Sequence, residues 1–341
     1  MTMDKTGRDD PRSDGARYAV LVTGAELVED ARTLLADSGV RVIYADGYAS
    51  SAELADLART EAIDGLLVRQ GKIDAGVIGA SPRLKVIAKH GSGVDNIDLA
   101  AASSRGIPVL RALAANAQSV AELAVTLSIT LMKDVGRLDA AVKDGEWPKT
   151  KYVGRDLGGA VFGVVGFGEI GRRAAALARG LGMRPLAYDP IAEPGLTPDG
   201  TVVVRELDEV LRQADVVSLH CPLTDETRHL MNAERLSRMK PDAFLVNTAR
   251  GAVVDEIALV TALRAGTIAG AALDSFEEEP PRADHPLWSQ PNVLATPHVA
   301  GASRSALRNM AVQSASGIIG VLQGKGYDER SCANKPGSQA A

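Results

Sequence analysis

The chain has 341 residues, with 38 Lys and Arg against 43 Asp and Glu, a formal charge of −5. That length fits two domains, each able to bury its own core, and the mildly acidic balance argues against non-specific binding to nucleic acid. No run of 18 uncharged apolar residues occurs, so no membrane span is expected. The two cysteines, Cys221 and Cys332, fit neither a zinc pattern nor a disulfide framework, so a reducing cytoplasm and a metal-free site are expected.

In chain order, the stretch before Tyr18 is charged and carries no apolar run of the kind a secretory leader needs; residues 1–16 are expected to be a disordered tail. From Tyr18 onward β-rich runs alternate with helical stretches. Tyr18 to Val22, Val40 to Tyr44, Gly65 to Val68 and Leu84 to Ala88 read as strands, Glu26 to Ala36 reads as a helix, and Ile107 to Leu110 closes this block. Such alternation predicts parallel strands joined by helical crossovers. The turn Gly91-Ser92-Gly93-Val94-Asp95-Asn96 follows one of these strands. Asn96 stands where a third glycine would be needed, so this is no dinucleotide turn, but its clustered N–H groups suit an anion.

Asn116 to Met132 is apolar over most of its circumference. A helix of that kind is usually buried, and it is expected between domains or in a subunit interface. A second alternating block follows, with strands at Val161 to Val165, Arg184 to Tyr188, Val216 to Leu219, Phe244 to Asn247 and Ala269 to Leu273. Ser303 to Leu322 reads as a last helix, and the chain beyond Gly324 as polar and irregular.

The first strand of the second block runs straight into Gly166-Phe167-Gly168-Glu169-Ile170-Gly171 and then a helix. In that context Gly166 permits the tight turn, Gly168 admits a pyrophosphate close to the backbone, and Gly171 lets the helix pack on the strand. The helix N-terminus offers unpaired N–H groups and partial positive charge. Asp189 ends the next strand, placed to bond the adenosine ribose and to repel a 2′-phosphate. Pro190 and Ile191 supply no compensating arginine, so NAD is expected over NADP.

Three late segments gather polar residues in apolar surroundings: Leu245-Val246-Asn247-Thr248-Ala249-Arg250-Gly251, Ala272 to Pro280, and Val293 to Gly301. Together with Lys89 to Asp98 and Ser218-Leu219-His220-Cys221-Pro222-Leu223-Thr224, they resemble the D-isomer-specific 2-hydroxyacid dehydrogenases, particularly the phosphoglycerate dehydrogenase-like branch. The match runs from about Leu84 to Gly301. The resemblance implies a catalytic set of Arg250, Glu279 and His298. It implies cofactor contacts from Gly166, Gly168, Glu169, Ile170, Gly171, Asp189, His220, Cys221, Pro222, Thr227, Thr248, Ala249, Arg250, Asp274, His298 and Gly301. Substrate contacts are expected from Arg69, Ser92, Gly93, Val94, Arg250 and His298. For His220 a purely structural bond is as good a reading as a ligand contact, and Glu277 and Glu278 read as a solvated loop face beside Glu279.

These residue types suit the chemistry. An alcohol losing hydride needs a base for its proton, which histidine supplies in either direction. A carboxylate on the second ring nitrogen orients the imidazole, and an arginine fork holds a carboxylate or carbonyl. The expected fold is two Rossmann-like parallel-sheet α/β domains with a cleft between. A flavodoxin-like substrate domain uses 17–112 and 300–330, an NAD-binding domain uses 113–299, and 331–341 is a tail. The expected activity is NAD-dependent hydride transfer with a small D-2-hydroxy or 2-oxo acid, 3-phosphoglycerate among the candidates. Glyoxylate or hydroxypyruvate reduction is the alternative, and an NAD-sensing corepressor-like binding protein a more distant one. A homodimer is expected. Two departures stand out: Leu123 follows Ala121-Glu122 where the family often has His, and Asp156 to Ala160 replaces a lysine-containing turn. No further regulatory domain, and so no feedback control through one, is expected after Pro336.

Overall fold

The computed structural model describes residues 15–334 and 336. Most of the tail expected over 1–16, and residues 335 and 337–341 of the one expected at the other end, lie outside the described residues. The chain divides into two compact units, Met1–Asn116 with Ser303–Ala341, and Ala117–Ala302.

The first unit holds strands β1 (Tyr18–Thr23), β2 (Val40–Ala45), β3 (Gly65–Val68), β4 (Val86–Lys89) and β5 (Val109–Arg111). They form one parallel sheet in the order β2-β1-β3-β4-β5, the flavodoxin-like order. Ala19 to Val22, Leu66 to Val68 and Val86 to Ala88 are buried without a break. A parallel sheet is covered on both faces, which is why these strands read as continuous apolar runs. Helices α2 (Ser51–Thr60), α3 (Ala75–Ala80) and α4 (Leu99–Ser104) pack on one face. Helix α1 (Glu29–Asp37) and the C-terminal helix, Arg304–Leu322, pack on the other. Side-chain caps start four of these five helices: Ser50 in a reciprocal box with Glu53, Asp74, Asp98 and Ser303.

The expected tail over 331–341 needs correcting where it is described. Cys332 bridges Leu110 in antiparallel fashion. The Asn334 carboxamide accepts from Val109 N at 2.9 Å and donates to Ile107 O at 2.9 Å and Ser103 Oγ at 3.1 Å. A polar residue that reads as loop thus completes the edge of the sheet, because one carboxamide both donates and accepts.

The second unit opens with α5 (Ala117–Met132) and α6 (Val135–Lys143). There follow β6 (Val161–Val165), α7 (Glu169–Gly180), β7 (Arg184–Tyr188), β8 (Gly195–Leu196), β9 (Val202–Val204), α8 (Leu207–Gln213) and β10 (Val216–Leu219). Then come α9 (Ala233–Leu236), β11 (Phe244–Asn247), α10 (Glu256–Arg264), β12 (Gly270–Leu273) and β13 (Val293–Ala295). The sheet order is β13-β12-β11-β10-β6-β7-β9-β8, parallel except for β8. Read from β9, this is the doubly wound dinucleotide order, whose reversal falls between β6 and β10. Helix α5 buries Ala121, Ala124, Val125 and Leu127 against α7 and the sheet of its own unit, which accounts for its apolar breadth. The two-residue β8 and three-residue β9 were not foreseen, being too short to show alternation.

One device recurs in both sheets. Asp64 donates its N–H to Ala19 O while its carboxylate accepts from Ala19 N at 3.0 Å. Asp215 does the same with Val161, its Oδ2 accepting from Val161 N at 2.7 Å. Each aspartate stands just before a strand that adjoins its unit's first strand and locks the register at the N-terminal edge. Arg83 pairs with the first, and Lys240 and Arg155 with the second.

Candidate active site

The C-terminal edge of the second sheet gathers most of the expected residues. Gly166 has φ +94°, and a Cβ there would lie 2.6 Å from Cys221 N and 2.7 Å from His220 C. The turn after β6 therefore presses backbone to backbone on the turn after β10, across the point where strand order reverses. A Cβ on Gly171 would lie 2.1 Å from Gly166 O, whereas one on Gly168 meets nothing within 4 Å. The first and third glycines serve close packing, and the second faces open space at the N-terminus of α7. Glu169 opens α7 and pairs with Arg173 one turn on, at 3.3 Å. Asp189 accepts from Phe167 N at 2.8 Å through one oxygen and from Ile191 N at 2.9 Å and Ala192 N at 3.3 Å through the other. The carboxylate is thus fixed against the glycine turn, with lone-pair capacity to spare.

Next along the edge, burial holds His220 neutral, pushing it down to about 4. Its Nε2 meets Ser218 Oγ at 3.0 Å, and its Nδ1 is buried without a partner among the described residues. Burial pushes the Cys221 thiol up to about 11, and the Asp189 charge adds to this, so it is no nucleophile at neutral pH. Thr227 Oγ1 donates to Pro222 O at 2.7 Å and staples the following turn. Thr248 Oγ1 and Ser275 Oγ are also buried and unpartnered among the described residues. Orphaned polar atoms are uncommon in native interiors; here three stand just past the ends of β10, β11 and β12. Together with the space before Gly168, they fit a bound dinucleotide.

His298 and Glu279 meet as expected, Nδ1 to Oε2 at 2.7 Å. The other Glu279 oxygen accepts from Phe276 N at 3.0 Å. Burial raises the Glu279 carboxyl, but the bonds from His298 and Phe276 and the charges of His298 and Arg250 outweigh it and leave it below the ordinary value. An ionised carboxylate only accepts, so His298 Nδ1 carries hydrogen and Nε2 is left for a substrate. His298 has φ +53°, a left-handed backbone that costs roughly 1–2 kcal/mol. Asp274 supports it. This carboxylate, 1% exposed, accepts from Thr296 Oγ1 at 2.6 Å, Val299 N at 2.9 Å and Ala300 N at 2.8 Å. Asp274, expected among the cofactor contacts, thus has three protein donors and anchors the segment from His298 to Gly301.

Arg250 follows β11, its carbonyl held by Asn247 Nδ2 at 2.9 Å while Asn247 Oδ1 accepts from Ala249 N at 3.0 Å. A Cβ on Gly251 would lie 1.8 Å from Phe276 C, so this loop rests directly on the one that leads to Glu279. Glu277 is more than a solvated face: its Oε1 accepts from Glu256 N at 3.2 Å, and its N–H donates to Glu256 at 2.9 Å.

In the first unit, Arg69 Nη1 donates to Ala25 O at 2.6 Å and Glu26 O at 2.8 Å. The amides of Ser92, Gly93 and Val94 meet no protein acceptor among the described residues. Burial, reinforced by the Arg69 charge, pushes His90 down to about 4.

A sheet in this order, with this glycine turn at its point of reversal, defines a dinucleotide-binding α/β protein. Residues 125–300 match the D-isomer specific 2-hydroxyacid dehydrogenase, NAD binding domain. The chain belongs to that family, and its second unit carries the NAD-binding domain. It is 37% identical over 308 residues to D-3-phosphoglycerate dehydrogenase of Archaeoglobus fulgidus, covering 90% of this chain and 58% of that one. It is 41% identical over 263 residues to hydroxypyruvate reductase of Thermotoga maritima, covering 76% and 85%. The structure of D-lactate dehydrogenase from Aquifex aeolicus complexed with NAD and lactic acid superposes with a TM-score of 0.78, at 31% identity, covering 89% of this chain and 96% of that one. The chain spans 58% of the archaeal phosphoglycerate dehydrogenase and 42% of one from Arabidopsis thaliana.

Proposed function

We propose that the protein is an NAD-dependent oxidoreductase that interconverts a small D-2-hydroxy acid and its 2-oxo acid. The observation that carries this reading is the Glu279–His298 pair at 2.7 Å, on the sheet edge that also bears the glycine turn. NAD, when bound, accepts or supplies the hydride. His298 Nε2 takes the hydroxyl proton as the alcohol is oxidised and returns it to the carbonyl oxygen in reduction. Glu279 holds the ring in the Nδ1–H tautomer and balances the charge gained, and Arg250 holds the substrate carboxylate. Gly168 and the start of α7 receive the pyrophosphate. Asp189 receives the ribose hydroxyls and excludes a 2′-phosphate. Within the first unit, the Ser92 to Val94 amides, which meet no protein acceptor among the described residues, suit a carboxylate anion.

The test is a steady-state assay of both directions with hydroxypyruvate, glyoxylate, 3-phosphoglycerate and D-lactate, each with NAD and NADP cofactors. Turnover of one pair with NAD supports the reading; no turnover with any pair overturns it. Asp189→Ser should erode the preference for NADH over NADPH, measured as the ratio of kcat/KM values. An equal preference in the wild type would remove the role given to Asp189.

A homodimer built on the second unit is part of the proposal, supported by the exposed Val135, Val142, Trp147 and Val153. A monomeric mass at micromolar concentration in light scattering would refute it. A cytoplasmic location is proposed from the two free thiols. Among the described residues no helix is long and apolar enough to cross a membrane.

A further inference from the structure

A second carboxylate–imidazole pair is linked to the loop that carries Glu279. Glu256, at the start of α10, is buried, and its Oε2 meets His285 Nε2 at 2.9 Å. His285 Nδ1 accepts from Leu287 N at 3.3 Å, so the hydrogen sits on Nε2 and is donated to Glu256. The other Glu256 oxygen accepts from Glu277 N, and Glu256 N donates back to Glu277 Oε1. One buried carboxylate therefore ties three pieces of chain together: the Arg250–Gly251 turn that runs into α10, the Phe276–Glu279 loop, and the 3-10 turn Pro286–Ser289. Gly251 already rests on the Phe276 backbone, and Phe276 N holds Glu279. Trp288 from the third piece meets the Phe276 ring edge-on at 5.6 Å.

We propose that Glu256 is a positioning residue for the reaction: it sets the distance between the Arg250 turn and the Glu279 loop, and so the pose of the Glu279–His298 pair. Because the inference rests on the proposed oxidoreductase reading, its test includes a measurement that needs no turnover. The polar partners of Glu256 are Glu277 and His285, not Glu279 or His298. Its removal frees Glu277 N and His285 Nε2, two partly buried donors, and lets the loop from Phe276 to Glu279 drift. A displacement of about 1 Å at a reacting centre costs on the order of 10²-fold in rate.

The experiment compares the full chain with Glu256→Ala, His285→Ala and His285→Gln. The glutamine amide nitrogen reaches about where the imidazole Nε2 stood and can still donate to Glu256. With NADH and the 2-oxo acid that the wild type reduces best, Glu256→Ala and His285→Ala should lower kcat by about 10–100-fold. NADH affinity by fluorescence titration should stay within twofold, and His285→Gln should recover most of the loss. The ring-proton NMR titration of His298 in Glu256→Ala should move toward that of Glu279→Gln. A variant that melts earlier but keeps both its kcat and the wild-type His298 titration would overturn the proposal. If Glu256→Ala does not fold, the two His285 variants decide: equal turnover by both overturns it, and recovery by glutamine alone supports it. A wild type inactive on every 2-oxo acid would defeat the oxidoreductase reading and leave the NMR comparison to judge this one.

Discussion

His298 holds a left-handed backbone that only glycine and, less often, asparagine or aspartate adopt at low cost. Strain of this kind persists where surrounding bonds over-determine it, and Asp274 supplies three. His298→Ala should lower kcat by about 10²–10⁴-fold, with NADH binding by fluorescence near the wild-type value; near-normal turnover would remove the proposed mechanism. Glu279 gives a prediction with a definite sign. Its folded carboxyl is lowered, so the stabilisation it brings is fully present above the ordinary glutamate value of about 4.3. That stabilisation is lost as pH falls through the lowered folded value. Urea denaturation of wild type and Glu279→Gln should therefore differ most near neutrality, and the gap should close on the acid side. A gap that widened with acid would reverse the assignment. The contact between Glu279 and His298 was readable because each stands in a distinctive local motif. Asp274 and Glu256 were not readable as anchors, because an acidic residue that accepts backbone N–H groups from a distant segment leaves no local pattern.

Strands were legible wherever a parallel sheet buries both faces. The runs from Val161, Val216 and Phe244 stand in the structure with the bounds the sequence suggested. Bounds slipped where polar contacts intervene: β4 starts at Val86 rather than Leu84, because Leu84 and Lys85 are taken up by Ser81 and Asp64. The short β13 read only as an apolar run, since three residues show no periodicity. The contact between elements that matters most is the one at Gly251. Gly251→Ala would set a methyl 1.8 Å from Phe276 C and 2.0 Å from its oxygen, both backbone atoms that have no rotamer to yield. The two loops must part, at a cost of about 1–3 kcal/mol or more. Calorimetry should show the lower melting temperature, and turnover should fall together with it. An alanine variant with wild-type melting and kcat would mean that the Arg250 turn and the Glu279 loop do not need to touch.

At the scale of the whole molecule, the second unit is one continuous stretch of chain, whereas the first is written in two pieces. The later piece covers one face of the first sheet: Ala311, Ala315, Ile318, Ile319 and Leu322 are buried against Val20, Val22, Leu67 and Val86. Burying three large aliphatic side chains of that set stabilises by about 1.5–3 kcal/mol each, against about 5–15 kcal/mol for a whole domain. A chain cut before Ser303 should therefore keep a folded second unit that still binds NADH, while the amides of β1, β3 and β4 exchange hydrogen rapidly. Protection of those strands in the cut chain would refute this. The same layout gives the protein an order of assembly on the ribosome. The strands of the first sheet precede the helix that covers them by the whole of Ala117–Ala302, so one apolar face stays open while that unit is made, and the NAD-binding unit can finish first. The nascent chain thus carries a sticky half-domain while its NAD-binding unit is made, until the Arg304–Leu322 helix closes it.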